Sequence, residues 1–294
     1  MTGSLTEHEA ALRLAAFAGV FAAVALWEWQ APRRRARFSR AARWPHNVAL
    51  LVLDALVVRL LAPAAAIAVA LAGESHGWGL LAAVALPFWA EVVIAFVLLD
   101  LAIYFQHVVF HAVPALWRLH RVHHADPDFD VTTGTRFHPL EILLSLGIKC
   151  AAVTAIGAPA LAILVFEIVL NATAMFNHAN ARLPARADRW LRWLVVTPDM
   201  HRVHHSALAH EMNGNFGFNV PWWDRLLGTY RAQPAAGHEA MRIGVDGLQH
   251  ASELRIGALL TQPFRAAPAS GAVDRVPAAA DALAGVPLIE RKQA

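Results

Sequence analysis

The sequence contains a single cysteine and little charge. Cys150 is the only cysteine among 294 residues, which excludes an internal disulfide and an iron–sulfur cluster held by cysteine thiolates. A lone thiol in an apolar run is typical of a reducing, cytosol-facing protein. Only 16% of the residues are charged, against roughly 25% in soluble domains, and 57% are hydrophobic. This composition indicates a chain that lies largely in lipid.

Positive charge is concentrated in one short stretch. The net charge is only +3, but arginines gather at RRRAR (33–37), followed by Arg40 and Arg43. No nucleic-acid-binding motif and no interleaved aromatic residues accompany them, so we expect no nucleic-acid partner. Basic residues collect on the cytoplasmic side of membrane proteins, so the stretch predicts a cytoplasmic loop at the membrane edge. The start of the chain lacks the positive region of a cleavable signal peptide.

Three apolar segments each reach the length of about 20 residues that a membrane-crossing helix needs. They run over residues 10–29, 48–72 and 80–105. Two shorter apolar pieces, 141–157 and 158–176, meet at Gly-Ala-Pro and predict a helical hairpin. Because a hairpin enters and leaves on one side, this topology places every histidine-rich stretch in the cytoplasm. We therefore predict an all-α integral membrane protein with about three long transmembrane helices, a short hairpin and a cytoplasmic helical cap.

Nine of the 16 histidines occur in or beside short motifs with helical spacing. HVVFH places His107 and His111 one turn apart, and HRVHH occurs twice, at 120–124 and 201–205. Residues at i, i+3 and i+4 share one face of a helix, so each HRVHH copy presents three imidazoles together. His178 follows the hairpin, where the chain returns to the cytoplasm. A break at Pro114, between the first two clusters, would allow them to fold towards one another.

This many imidazoles predict a metal site. Nine ligands exceed the roughly four to six that one transition metal takes, so two metals fit the number better. A structural zinc site would typically use cysteine, and the HExxH motif of zinc metalloproteases is absent, as are the Glu-x-x-His pairs of soluble di-iron bundles. We interpret five isolated histidines as surface or core residues: His8, His46, His76, His238 and His250. His210 is ambiguous, and His138 is a candidate for contact with the ligands or the substrate.

The ordered motifs resemble a known family. HVVFH, HRVHH, NHAN and HRVHH, followed by NFGFNVPWWDRLLGTY (215–230), resemble the fatty acid hydroxylase/sterol desaturase superfamily of integral-membrane di-iron oxygenases. The resemblance covers about residues 80–230 and favours the sterol-desaturase-like branch. It implies that two irons are bound by nine histidines: His107, His111, His120, His123, His124, His178, His201, His204 and His205. It implies no catalytic side chain beyond that centre. Candidates for orienting the ligating imidazoles are Asp100, Tyr104, His138, Asp199 and Asp224, with Asp126 as a further one.

The resemblance also predicts how the chain is divided. Residues 1–79 would form N-terminal transmembrane helices, and residues 80–230 the fatty acid hydroxylase/sterol desaturase-like catalytic domain. A C-terminal docking segment would follow at 231–264, with one amphipathic helix over 247–264. The Ala/Pro-rich remainder, 265–294, has the composition of a disordered tail.

The implied activity is an O2-dependent hydroxylation or desaturation of an unactivated C–H bond in a lipid. A sterol, a fatty acyl chain and a related isoprenoid or ether lipid stay open as substrates, as do the oxidised position and the oligomeric state. The chain has no flavin or haem-attachment motif, so we expect an external electron donor: a cytochrome b5-like protein, a ferredoxin or a reductase. Arg118, Arg121, Arg202 and Arg225 are candidate docking residues, with lipid headgroups as their alternative contacts. The expected location is the bacterial inner membrane, with the site facing the cytoplasm.

Two other functional classes remain in view. Histidine pairs on membrane helices can hold haem, and histidine-rich loops can bind metal without catalysis. Haem ligands would face one another within the membrane spans, whereas the HRVHH motifs follow the apolar segments. A purely structural membrane protein would leave the spacing of the histidines unexplained.

Overall fold

The fold is helical throughout the residues that the structure describes. The structure is a computed structural model, and it describes residues 2–63 and 65–266, with the side chains from residue 8 onwards. No strand occurs in these two ranges. The longer helices are α1 (Thr2–Gln30), α2 (Arg40–Leu61), α3 (Ala65–His76), α4 (Phe88–Ala112), α5 (Pro114–His124), α6 (Pro139–Ile156) and α7 (Ala160–Asn177). Short helices follow: α8 (Ala185–Leu191), α9 (Pro198–His204), α10 (Ala209–Met212), α11 (Trp222–Leu226), α12 (Gly237–Ala240) and α13 (Ile256–Thr261).

Five segments in the described ranges are long and apolar enough to cross a membrane. They are His8–Gln30, Arg40–Ala83, Phe88–Ala112, Pro139–Ile156 and Ala160–Asn177. The first three correspond to the predicted long helices, and the last two to the predicted hairpin. The prediction of an all-α membrane protein is therefore confirmed.

The second span is broken, although the sequence predicted one apolar helix over 48–72. α2 ends at Leu61 and α3 begins at Ala65, with Pro63 between them. Proline donates no backbone hydrogen bond and disfavours helical geometry in the residue before it, which explains the interruption. α2 also begins eight residues earlier than predicted, at Arg40, where the hydroxyl of Ser39 accepts a hydrogen bond from the backbone N–H of Ala42.

The hairpin consists of two 18-residue helices, α6 and α7. At about 1.5 Å per residue each is about 27 Å long, close to the thickness of the hydrocarbon core. α6 ends at Gly157, whose φ of 73° is the left-handed conformation that glycine adopts without strain. A Cβ on Gly79 would lie 2.1 Å from the backbone nitrogen of Gly157, so both turns need glycine for their close approach.

Residues 125–136, which follow α5, form a buried loop. An ion cluster joins this loop to α2. Arg43 was expected in a cytoplasmic loop, but it lies on α2 with 1% of its surface exposed. Its guanidinium donates to Asp126 at 2.7 and 2.8 Å and to Asp130 at 2.6 Å. Paired in this way, a charged side chain is acceptable in the protein interior.

The C-terminal segment differs from the prediction of one helix over 247–264. It contains two 3-10 turns, Ala251–Leu254 and Gln262–Phe264, on either side of α13. Arg255 adopts an extended backbone conformation and separates the first turn from α13. The segment does pack on the body, because Leu259 belongs to a buried cluster with residues of α2 and α5. The predicted tail falls almost entirely on residues 267–294, which lie outside the described residues.

Candidate metal centre

The nine clustered histidines come together in two buried groups. None exposes more than 6% of its surface. In each group the nitrogen atoms that could bind a metal all lie within 4.8 Å of one another. Group one contains His107, His111, His120, His124 and His204, and group two contains His123, His178, His201 and His205.

The two HRVHH copies divide their histidines between the groups in opposite ways. In the first copy, His120 and His124 enter group one, and His123 enters group two. In the second copy, His201 and His205 enter group two, and His204 enters group one. Residues i and i+4 point the same way, while i+3 is turned by about 100° from i+4 on a helix. Each copy can therefore serve both groups, and completing both groups requires two copies.

The predicted break at Pro114 is confirmed, and it folds the first two motifs together. α4 ends at Ala112, and Pro114 is the first residue of α5, a position where its missing N–H costs nothing. As a result, Nε2 of His111 lies 3.2 Å from Nε2 of His124. The backbone turn thus joins the ends of α4 and α5 in group one.

Backbone carbonyls orient three of the rings. Nδ1 of His107 donates to the carbonyl of Phe216 at 2.8 Å, and Nδ1 of His204 donates to the carbonyl of Gly214 at 2.8 Å. Nδ1 of His178 donates to a carbonyl one turn back on α7 at 2.7 Å. A carbonyl oxygen only accepts, so the proton of each neutral ring lies on Nδ1 and Nε2 keeps its lone pair.

The spacing of the Nε2 atoms fits bound cations. Nε2 of His107 and Nε2 of His204 are 2.9 Å apart, although neither carries a proton to share. Nε2 of His178 lies 3.1 Å from Nε2 of both His123 and His205. Ligand atoms about 2.1 Å from a metal are separated by about 3 Å when they are neighbours in its coordination shell. Each group can therefore hold a transition metal ion, which would remove the repulsion between facing lone pairs.

Burial keeps the imidazoles of the cap neutral. Desolvation lowers the pKa of His120 and of His178 to about 3. For the others outside the membrane spans, desolvation and then repulsion between protonated neighbours lower the pKa well below its usual value: His123, His124, His201, His204 and His205. Neutral imidazole is the form that binds metals.

One carboxylate contacts a grouped histidine directly, and sequence reasoning missed it. Glu141 Oε1 accepts a hydrogen bond from Nδ1 of His120 at 2.6 Å, and only 3% of Glu141 is exposed. The residue lies in the first turn of α6, after His138 as N-cap. An ionisable side chain in a helix of membrane-spanning length is a functional candidate, and this signal could have identified Glu141.

The six residues predicted to orient the ligands lie further from the grouped histidines than Glu141 does. None of the six forms a hydrogen bond with a grouped histidine in the part of the chain described here. Asp199 pairs with Arg33 and Arg202, and His138 caps α6, while Asp126 belongs to the Arg43 cluster.

Three of the six hold the loop that supplies the carbonyls. Asp224 accepts hydrogen bonds from the backbone N–H of Phe216 at 2.7 Å and from the hydroxyl of Thr229 at 2.6 Å. The hydroxyl of Tyr104 lies 2.9 Å from that of Thr229. Asp100 accepts from Nε1 of Trp223 at 2.7 Å. These contacts fix the backbone against which His107 and His204 donate.

The four arginines predicted to dock a partner all contact other groups of the chain, although Arg118 is exposed and Arg225 is half-buried. Arg118 and Arg121 donate to backbone carbonyls of residues 262–265. Arg202 is fully buried, and Arg225 lies between two aromatic rings, at 3.8 and 4.0 Å from their centroids. These guanidinium groups are therefore used mainly to hold the cap together.

Other arginines line a groove of about 930 Å³ beside group two. They include Arg34, Arg35 and Arg182, of which Arg35 and Arg182 are exposed. Phe129 also lines the groove, and its ring lies 5.0 to 5.3 Å from those of His205 and His178. Six arginines and four carboxylates line the groove, so a modest excess of positive charge lies on the far side of the Phe129 ring from group two.

A second cavity, of about 460 Å³, lies between the membrane helices. Volumes of this size are usual for small-molecule sites. Its lining includes Phe137 and Phe218. Phe137 stacks on His123 at 4.5 Å, and Phe218 lies 6.5 Å from His107. The cavity therefore begins at the histidine groups and continues into the membrane-spanning region.

Comparison with known proteins gives partial matches. Residues 92–229 match the sequence model of the fatty acid hydroxylase family. An ornithine lipid hydroxylase of Rhizobium tropici is 30% identical over 178 residues, 60% of this chain and 51% of that protein. An alkylglycerol monooxygenase of Xenopus tropicalis is 25% identical over 142 residues, 47% of this chain and 30% of that protein. A cholesterol 25-hydroxylase of Rattus norvegicus is 30% identical over 149 residues, 49% of this chain and 48% of that protein.

These matches span about half or less of the relatives' lengths. No solved structure matches the chain. The family match lies inside the region, 80–230, whose motifs resembled this superfamily, and it confirms that resemblance.

Proposed function

We propose that this chain, whose residues 92–229 match the sequence model of the fatty acid hydroxylase family, is a membrane-bound di-iron oxidoreductase that uses O2 to oxidise a lipid. The proposed reaction is hydroxylation or desaturation of an unactivated C–H bond. The observation that carries the proposal is the pair of buried histidine groups at the end of a cavity between membrane helices.

The proposed ligands are the nine histidines of the two groups, with one iron in each. Bound iron would supply the activation of O2 and the removal of hydrogen from the substrate. The chain's own residues fix the ligand geometry: Glu141 and the backbone carbonyls hold the rings with Nε2 turned inward. The aromatic rings of Phe137 and Phe218 cover the groups on the cavity side and help to exclude water.

The substrate class follows from the cavity and from the relatives. Apolar side chains line most of the cavity, which lies between helices of membrane-spanning length. The relatives' names refer to an ornithine lipid, an alkylglycerol and cholesterol, all of them lipids. We infer that the substrate is a membrane lipid that enters from the bilayer.

The reaction requires an external electron donor. Hydroxylation consumes O2, two electrons and two protons for each alcohol and water formed, and the sequence has no motif for a redox cofactor besides the histidines. The arginine-lined groove is the proposed docking site for an acidic electron-transfer protein. Its exposed arginines, Arg35 and Arg182, would attract such a protein, and only the ring of Phe129 separates the groove from group two. We also propose that this face is cytoplasmic in a bacterial inner membrane.

The haem alternative fits the geometry less well. In group two, the centroids of contacting imidazole rings lie 4.4 to 5.0 Å apart. Rings packed this closely leave no flat slot for a porphyrin between them. Metal binding without catalysis remains the alternative, and the following experiment separates the two.

The test is oxidation of lipids by cells or membranes that contain the protein. Lipid extracts are compared by mass spectrometry between wild type and His204→Ala, under ordinary and isotopically labelled dioxygen. We expect a lipid that is heavier by one oxygen atom carrying the label, or lighter by two hydrogens, and that is absent with His204→Ala. Iron-loaded wild-type protein without any change in lipids would contradict the proposed activity.

A further inference from the structure

Three buried acceptor oxygens at the metal end of the membrane cavity have no hydrogen-bond partner. They are Oδ1 of Asp54, Oε1 of Gln106 and Oε2 of Glu141, and all three residues line the cavity. Native proteins rarely leave buried acceptors unmet, because each loses its hydrogen bonds to water on burial. Three of them around one cavity indicate a ligand that donates hydrogen bonds.

Among the described residues, neither carboxylate in this set is paired with a lysine or an arginine. Asp54 is 5% exposed and Glu141 is 3% exposed. Within the described ranges, no lysine or arginine lies within 4 Å of either carboxylate, and the other oxygen of Glu141 is committed to His120. Ser145 also lines this end, and its hydroxyl accepts a hydrogen bond from Gln106. The unpartnered oxygens therefore suit a ligand that presents O–H or N–H groups to them.

The opposite end of the cavity has a different character. Glu167 accepts hydrogen bonds from both Lys149 and Arg13, so these charged groups pair with one another. Between the two ends the lining is largely aliphatic, with Val58, Leu146 and others from α2 and α6. Such a cavity suits a hydrocarbon chain whose donor-bearing end lies beside the histidines.

We propose that Asp54, Gln106 and Glu141 form a subsite for the hydroxyl or amino head group of the lipid substrate. The consequence for the reaction rests on the proposed function. Glu141 contacts Nδ1 of His120, and Nε2 on the other side of that ring faces the proposed iron of group one. A head group bound at Glu141 would therefore bring the carbons next to it close to the irons. Oxidation then occurs close to the polar end of the lipid and not at the far end of its tail.

Binding of matched lipids tests the subsite without requiring turnover. The probes are hexadecylglycerol, which donates hydrogen bonds from two hydroxyls, and its dimethyl ether, which has the same chain but no donor. Hexadecylamine, with an ammonium group, is the third. Equilibrium binding of each labelled lipid is measured to iron-loaded protein in detergent. We expect wild type to bind at least one donor lipid about tenfold or more tightly than the dimethyl ether. Preference between the alcohol and the amine identifies the head group.

Asp54→Leu is the informative variant, since leucine suits a membrane helix and removes the acceptors. It should weaken binding of the preferred donor lipid about tenfold or more, with no change for the dimethyl ether. Arg59→Leu is the control, because it removes a charge from an exposed position on the same helix. It should change neither affinity. Equal iron content in all three proteins excludes a general loss of structure.

Two outcomes would overturn the subsite. Wild type that binds donor lipids no better than the dimethyl ether would mean that only water meets these oxygens. Equal affinities in wild type and Asp54→Leu would place the head group elsewhere. The outcome for the proposed function is separate: if a lipid is oxidised far from its head group, the subsite is wrong and the oxygenase stands. If donor lipids bind selectively but no lipid is oxidised, the subsite stands and the proposed oxygenase activity is wrong.

Discussion

At the scale of single residues, the centre depends on which nitrogen of each imidazole faces inward. Carbonyls of the loop after α10 hold the protons of His107 and His204 on Nδ1, and Glu141 is the acceptor beside His120. Which histidines to consider could be predicted from sequence, because i, i+3 and i+4 spacing is local. The acceptors could not, since backbone carbonyls leave no mark in a sequence and Glu141 comes from a different helix.

Glu141 provides the first prediction. Glu141→Gln keeps an oxygen that can accept from Nδ1 of His120, whereas Glu141→Leu leaves that N–H unmet. Outer contacts of this kind typically contribute about 10–100-fold to metal affinity. We therefore expect Glu141→Leu to lose its iron at a chelator concentration about 10–100-fold lower than wild type requires. Glu141→Gln should lose its iron at nearly the wild-type chelator concentration. Equal retention by all three proteins would rule out the orienting role.

The buried imidazoles also predict a pH dependence of stability. The unfolded chain gains protons on histidine as the pH falls through about 6.5, while His120 and His178 in the folded chain have a pKa of about 3. Between these values the unfolded state binds more protons, so the free energy of unfolding decreases as the pH falls. Thermal unfolding in detergent should shift to lower temperature from pH 7 towards pH 4.5. A midpoint independent of pH across this window would contradict the prediction.

At the scale of elements, helix breaks position the groups. Pro114 turns α5 back on α4, and the hairpin of α6 and α7 returns His178 to the same end as α4. Both features were predictable, because proline and an apolar run interrupted by Gly-Ala-Pro act locally. The start of α2 was not predictable, since Arg43 and Pro45 look like a loop until the aspartates of residues 126–130 are placed against them. The C-terminal segment was wrongly predicted as one helix, because its pattern of apolar residues is helical throughout and does not show that the backbone is extended at Arg255.

The ion cluster between α2 and the 125–136 loop gives the third prediction. Arg43→Met would leave the buried carboxylate of Asp130 without its cation and Asp126 with Arg136 alone, and loss of such a buried partner typically costs about 3–5 kcal/mol. Arg35→Met, which removes an arginine at an exposed position just before α2, should cost less than about 1 kcal/mol. Chemical unfolding in detergent measures both. A similar loss in the two variants would mean that the cluster contributes little.

At the scale of the whole molecule, five helices of membrane-spanning length bring histidines from four separate stretches together at one end of the helical bundle. The side on which they meet stays a prediction from the arginines and the number of spans. The division of nine histidines into five and four could not, because it depends on how α5, α7 and α9 are rotated against one another. Rotation of packed helices is a tertiary property that a motif does not encode.

The orientation of the molecule is the fourth prediction. In a Cys150→Ala background, a cysteine in place of Ser75, in the last turn of α3, should react with an impermeant maleimide added to intact spheroplasts. One in place of Arg186, on α8 of the cap, should react only after the membrane is opened. Both positions are exposed to solvent or lipid headgroups. Labelling in the reverse order would place the histidine groups on the outer face.

The number of irons held by the two groups tests the central claim most directly. Iron is measured per chain in detergent-purified protein for wild type, His178→Ala and His238→Ala. His238 is also buried, but belongs to neither group. We expect about two irons in wild type and in His238→Ala, and about one in His178→Ala, where only group two loses a ligand. At most one iron in wild type, or the same loss in both variants, would contradict that claim.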